Sequence, residues 1–320
     1  MKTKQQRIDL ATCCRTAMLA VVILLICAPT LLAQTPAGIP GVLAAGAAVE
    51  LVQEGFTFTE GPVGTADGGL FFSDIRANRV YYLDPGGKVS AVREATNGAN
   101  GLALTRSGEL VFAEGGGKRI TEQGKDGTVG TLTEGIPGMP LMAPNDLIVD
   151  ARGGIYFTDP GPFPPVPGRQ AFVYYLPAGT KIPVIIDSQN PLPNGLVLTT
   201  DGKTLIVNNT LGTVLWAFDL KPDGTVANKR EFATLRGTPE GKPSGADGIA
   251  IDRSDRVYVT SVVGIQVFDA KGAYLGTIAV PRQPANVAFA GPGKQTLYIT
   301  AREGLYHINT LSKGPDRLGK

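Results

Sequence analysis

The chain has 320 residues, 42 of them Gly and 24 Pro, with 43% apolar and 18% charged residues. A turn-rich chain that still has this much core to bury is neither disordered nor collagen-like. Thirty Lys and Arg against 28 Asp and Glu leave a net charge of +2 with no long run of one sign, which gives no footing for a phosphate backbone and excludes nucleic acid as an expected partner.

Residues 1–16 carry Lys2, Lys4, Arg7 and Arg15, followed by an apolar run from Ala17 to Ala28, then Pro29, and a small Ala33 before Gln34. This order predicts a secretory signal over 1–33. The apolar run, closed by a proline, falls short of the ~20 residues that span a bilayer. Cys27 follows Ile26, not a small residue, which argues against lipidation. The expectation is an exported protein, periplasmic or extracellular, with no membrane attachment after cleavage. Cleavage takes four basic residues and Asp9, leaving 26 basic against 27 acidic, and also removes Cys13, Cys14 and Cys27, the only cysteines. Disulfides, zinc–cysteine sites and cysteine nucleophiles are excluded together. Residues 34–47, rich in Pro, Gly and Ala, read as a linker.

From Glu60 onward one pattern recurs: a polar residue, a small residue, an apolar run, a turn and a second apolar run. The six copies are EGPVGTADGGLFFSD from Glu60, NGLALTRSGELVFAE from Asn100, NDLIVDARGGIYFTD from Asn145, NGLVLTTDGKTLIVNN from Asn194, DGIAIDRSDRVYVTS from Asp247 and NVAFAGPGKQTLYIT from Asn286. Their starts lie 40, 45, 49, 53 and 39 residues apart, the period of a four-stranded propeller blade. Gly or Asp-Gly in the turns suits a tight hairpin. A third run follows, as in RVYYLD (79–84) and GIQVFD (264–269), and a fourth, as in KVSAVRE (88–94) and KIPVIID (181–187). The prediction is an all-β, six-bladed propeller over 48–312 with a polar tail over 313–320. The sixth copy has no fourth strand of its own, so residues 48–53 are expected to supply it and close the ring, hiding two sheet edges.

In a propeller the first strand of each blade is innermost and starts at one end of the central channel. The opening residues Glu60, Asn100, Asn145, Asn194, Asp247 and Asn286 therefore form a predicted ring of carboxylates and amides. Two readings are open. Asn and Asp serve turn backbone locally, or the converging oxygens hold a cation that answers two poorly solvated negative charges. Such a donor set suits a hard ion, Ca²⁺ first, over zinc or copper. Second strands return to the same end and place Asp74, Glu114, Asp159, Asn208 and Asn209 there, with a proline-rich loop (160–169) beside the channel mouth. Arg76 and Arg119 are within reach of this face. No G-x-S-x-G elbow is present, and the single His307 and single Trp216 read as structural.

EGP (60–62), PND (144–146), PNG (193–195) and ADG (246–248), each opening a blade in order, resemble the SMP-30/gluconolactonase/LRE-like family over about residues 50–310. FTDPGPFPP (157–165) resembles the family's FTDPPYG, and AEGGGKRI (113–120) resembles an E-H-G-x-R-R stretch with Gly115 where relatives carry His. The resemblance implies a six-bladed propeller hydrolase acting on lactones or, in some members, phosphotriesters. It implies Glu60, Asn145, Asn194 and Asp247 as ligands of a divalent cation, usually Ca²⁺, with Mg²⁺, Mn²⁺ or Zn²⁺ as alternatives. The expected reaction is hydrolysis of a sugar-type or small lactone, its carbonyl polarised by the cation and water activated by Asp247, with Asp146 or Asp159 as substitutes. Asn100, Asn286, Glu114 and Arg119 are the expected substrate contacts. The rival readings are phosphotriester hydrolysis on the same metal and a non-catalytic propeller that binds a protein or glycan with a structural cation.

Overall fold

Short apolar runs bounded by Gly- and Asp-rich turns form the strands, which pair antiparallel with their neighbours in each sheet. In the computed structural model, which describes residues 38–317, four-stranded antiparallel sheets follow one another as blades; the expected signal over 1–33 lies outside the described residues. Blade 1 runs Thr59–Gly64, Leu70–Asp74, Arg79–Leu83 and Val89–Glu94, and blade 2 runs Ala99–Leu104, Leu110–Glu114, Arg119–Gln123 and Val129–Thr133. Blade 3 comprises Leu147–Val149, Ile155–Asp159, Phe172–Leu176 and Val184–Asp187; blade 4 comprises Pro193–Leu198, Thr204–Asn209, Val214–Leu220 and Val226–Thr234. Blade 5 comprises Ile249–Ile251, Val257–Ser261, Gly264–Phe268 and Tyr274–Ile278.

Blade 6 takes three strands from the C-terminal end, Asn286–Ala290, Thr296–Ala301 and Gly304–Asn309. Its outer strand is Glu50–Glu54, antiparallel to the third, with Glu50 opposite His307 and Leu51 opposite Tyr306. The ring is thus closed by an N-terminal strand, and the interior between sheets is filled by side chains such as Phe72, Leu102, Phe157, Leu196, Ile249 and Val287, all fully buried. Each such side chain contributes about 1.5–3 kcal/mol.

The segments flanking the ring pack on it. Ile39, Val42 and Leu43 are buried with Tyr258, Ile265, Ile278 and Phe289. Lys294 Nζ donates to the carbonyls of Pro315 (2.8 Å) and Arg317 (2.6 Å), while Arg317 Nη1 donates to the Thr199 carbonyl (2.7 Å). The start of the tail therefore ties the first-strand turn of blade 4 to that of blade 6. No helix among the described residues is long and apolar enough to cross a membrane.

Candidate functional site

The polar openers stand together because the inner strands approach one another closely. Gly101 N donates to the Asn145 carbonyl (2.8 Å), Gly195 N to that of Asp247 (2.9 Å) and Gly248 N to that of Ala285 (2.7 Å). A Cβ on Gly195 would lie 2.3 Å from the Asp247 carbonyl oxygen, and one on Gly61 would lie 2.1 Å from that of Asn100. The glycine after Glu60, Asn100, Asn194 and Asp247 is therefore a condition of the ring's radius.

This ladder also shows that the sixth opener is Ala285. Asn286 lies one residue further along, in the place Asp146 holds in blade 3. Thr158 Oγ1 receives the amide of Asp146 (3.2 Å) and Thr300 Oγ1 that of Asn286 (3.1 Å), and each side chain accepts the next amide, Leu147 N or Val287 N. One residue along a strand reverses the side chain. Asn286 thus leaves the predicted ring and turns to its neighbour: Nδ2 donates to Glu60 Oε2 at 2.8 Å, and the residue is 2% exposed. It orients Glu60, which corrects its reading as a substrate contact.

A second tier supports the ring from the second strands. Ser73 Oγ donates to the Asn100 carbonyl (2.7 Å), Thr158 Oγ1 to that of Asn194 (2.8 Å), Asn208 Nδ2 to that of Asp247 (2.5 Å) and Thr260 Oγ1 to that of Ala285 (2.8 Å). Each comes from the blade preceding the opener it holds. The sequence reading placed Asn208 at this end of the channel but missed Ser73, Thr158 and Thr260, although a Ser, Thr or Asn recurs there in five of the six copies quoted above.

The electrostatics of the ring are unbalanced. Burial, then the negative charge of Glu60, pushes the Asp247 carboxyl well above the usual carboxylate range. A hydrogen bond from Asn194 and, through space, Arg302 oppose the shift, while Asp146 adds to it. Asn100 contributes a buried Oδ1 without a hydrogen-bond partner among the described residues, a group that costs about 1–3 kcal/mol if left unsatisfied. Two carboxylates, amide oxygens and an orphan acceptor fit a hard divalent cation with an oxygen ligand beside it. Glu60, Asn145, Asn194 and Asp247 are the residues able to hold it.

The second-strand carboxylates have other tasks. Asp159 Oδ2 and Oδ1 accept the amides of Met142 and Ala143, both at 2.8 Å, and Asp74 treats Thr57 (2.7 Å) and Phe58 (2.9 Å) in the same way. In both blades these amides lie three and two residues before the opener, Asn145 or Glu60. Burial raises the Asp159 carboxyl against those donors. Asp159 thus anchors the approach to Asn145, and its oxygens are committed to that loop, not directed at a water.

Glu114, expected to touch substrate, is fully buried and engaged by Arg93 (2.6 Å), Arg119 (2.8 Å), Thr121 (2.8 Å) and Asn97 (3.1 Å). Burial opposes its charge, but the hydrogen bonds from Arg119, Arg93, Thr121 and Asn97 together hold the carboxyl below the usual range. Arg119 also reaches Thr131 in the outer strand of blade 2 (3.5 Å), away from the channel. The pair belongs to an internal ion cluster, and the full burial of Glu114 corrects its reading as a substrate contact.

At the mouth, Arg76 and Arg302 each place a guanidinium over Phe58, 5.2 and 5.0 Å from the ring centre. Arg302 was not singled out in the sequence because it lies in a loop of blade 6 and meets the charge of Asp247, in blade 5, only through space. His307 lies on the outer side of blade 6 beside Glu50 (3.4 Å) and Tyr298. A cavity of about 880 Å³ opens on the opposite face, among the turns around Arg106, Arg152 and Lys203, and none of the openers lines it.

The sequence profile of the SMP-30/Gluconolactonase/LRE-like region matches residues 58–303. A gluconolactonase of Zymomonas mobilis is 25% identical over 299 residues, spanning 83% of this chain and 82% of its own length. A Staphylococcus aureus lactonase is 26% identical over 272 residues, spanning 77% of this chain and 81% of its own. Among solved structures, a Xanthomonas campestris gluconolactonase superposes with a TM-score of 0.73 at 32% identity, covering 83% of this chain and 90% of that one.

Proposed function

Because the chain belongs to the SMP-30/gluconolactonase/LRE-like family, we propose that it is an exported, divalent-cation-dependent lactonase whose site is the ring of blade openers at the channel mouth. The observation that carries the metal is the meeting of Glu60 and Asp247, where burial and like charge push Asp247 well above the usual carboxylate range. A cation bound by Glu60, Asn145, Asn194 and Asp247, Ca²⁺ by the nature of these oxygens, supplies Lewis-acid polarisation of the lactone carbonyl.

The chain's own groups supply the rest. Asn286 holds the Glu60 carboxylate and Asn194 donates to Asp247, so both acids keep one orientation while substrate enters. Asp247 accepts the proton of the attacking water, and Asp146, which acts on Asp247 through space, is the second candidate for that proton. Asn100 Oδ1, without a hydrogen-bond partner among the described residues, accepts a hydrogen bond from a hydroxyl of the substrate. Asp159 and Asp74 keep the approaches to Asn145 and Glu60 in place.

The test is hydrolysis of glucono-1,5-lactone and a panel of small lactones before chelation, after it, and with Ca²⁺ restored. Turnover that disappears on chelation and returns with Ca²⁺ is expected. Lactones inert under every metal condition would overturn the reading and make this face a binding surface.

A further inference from the structure

The six loops joining second to third strands ring the channel mouth, and they divide by chemistry. In blades 6, 1 and 2 they carry Arg302 and Glu303, Arg76, and Lys118. In blades 3, 4 and 5 they expose Phe163 (82%), Val166 (48%), Leu211 (42%), Val262 (43%) and Val263 (37%) to solvent, with Arg169, at the end of the blade 3 loop, as their one charged residue. The other large exposed apolar residues sit on the propeller's outer strands, in a turn before one of them, or, as Leu311, just after the last strand. Apolar side chains on three consecutive mouth loops mark a surface that gains by covering.

Two of the five adjoin the reacting centre. Val262 N donates to the Ser244 carbonyl (3.0 Å), and a Cβ on Gly245, two residues before Asp247, would lie 2.6 Å from Val262 Cγ1. Leu211 follows Thr210, whose hydroxyl receives Asn194 Nδ2 (3.1 Å) and donates to the Ala246 carbonyl (2.7 Å). The apolar arc therefore begins beside Asn194 and Asp247. Its side chains offer no hydrogen bond to a ring of hydroxyls, whereas an alkyl chain laid on them leaves water together with them.

We infer that the preferred substrate is a lactone bearing an apolar alkyl or acyl chain, its ring at the blade openers and its chain across the loops of blades 3–5. The inference rests on the lactonase reading above. Its test is a ladder of γ-lactones, unsubstituted and with butyl, hexyl and octyl chains, assayed with the full Ca²⁺-supplied chain and with a Leu211→Ser, Val262→Ser double variant. The expected result is a rise in kcat/KM of about two- to fourfold per methylene seated, carried mainly by KM, and a flatter slope in the variant. A merely structural role for these residues would lower every member of the ladder alike and keep the slope. A flat ladder with measurable turnover, or a slope untouched in the variant, overturns the inference and leaves the lactonase reading standing. No turnover on any member, including the unsubstituted ring, overturns the inference, and removes the lactonase reading with it only where glucono-1,5-lactone is inert as well.

Discussion

Glu114 and Asp247 are both carboxylates at the mouth end of the propeller, but only Glu114 has its charge answered by hydrogen-bonded groups of opposite sign. Arg93 and Arg119 reach it at 2.6 and 2.8 Å, and its carboxyl is held below the usual range. Asp247 receives the neutral Asn194 and faces Glu60, and its carboxyl is pushed well above that range. The charges of the first cluster are answered within it, and those of the second are not. Charge balance, more than position at the mouth, distinguishes these two acids.

The most severe way to break this comparison is Asp247→Asn. Turnover should fall by about 10²–10⁴-fold, while in cation-free protein the melting temperature should hold or rise, because a buried repulsion is removed. Retained turnover with unchanged Ca²⁺ affinity would contradict the role assigned to Asp247. Glu114→Ala should act the opposite way, lowering stability in denaturant titration by about 3 kcal/mol because Arg93 is left buried without its partner, with the Ca²⁺ affinity retained. A loss of turnover exceeding the loss of stability would return Glu114 to the substrate.

The smallest effect sharpens the same contrast through pH. A folded carboxyl held below its unfolded value of about 4.5 contributes stability that is fully present above that value and is lost as pH falls through the lowered folded value. The stability gap between the protein and Glu114→Gln should therefore be level above pH 5 and close in acid. A gap that widened in acid would reverse the sign assigned to this carboxyl.

Much of the site was legible because propeller geometry converts a repeat into a ring: once the copies were aligned, Glu60, Asn100, Asn145, Asn194 and Asp247 had to start neighbouring inner strands. The sixth member was misplaced because Asn286 is the polar residue that the pattern's opening position asks for, and only the pairing of Gly248 with Ala285 puts the opener one residue earlier. Glu114 and Asp159 were placed on the correct end of their strands but given the wrong partners. Strand position specifies the end of the blade at which a side chain lies, and says little about which amide or guanidinium fills its hydrogen-bonding capacity.

The sequence by itself determined the six four-stranded blades and the need for a donated closing strand, since these follow from periodicity and from an incomplete last copy. The tertiary structure alone decided how charge is distributed. The contact of Asn286 with Glu60 spans 226 residues, and the hydrogen bond of the hydroxyl of Thr59, next to Glu60, to the Gly304 carbonyl spans 245. Both exist only where the first blade meets the last. Pairings across that seam depend on distances set by closure of the whole ring, which no local pattern in the chain encodes.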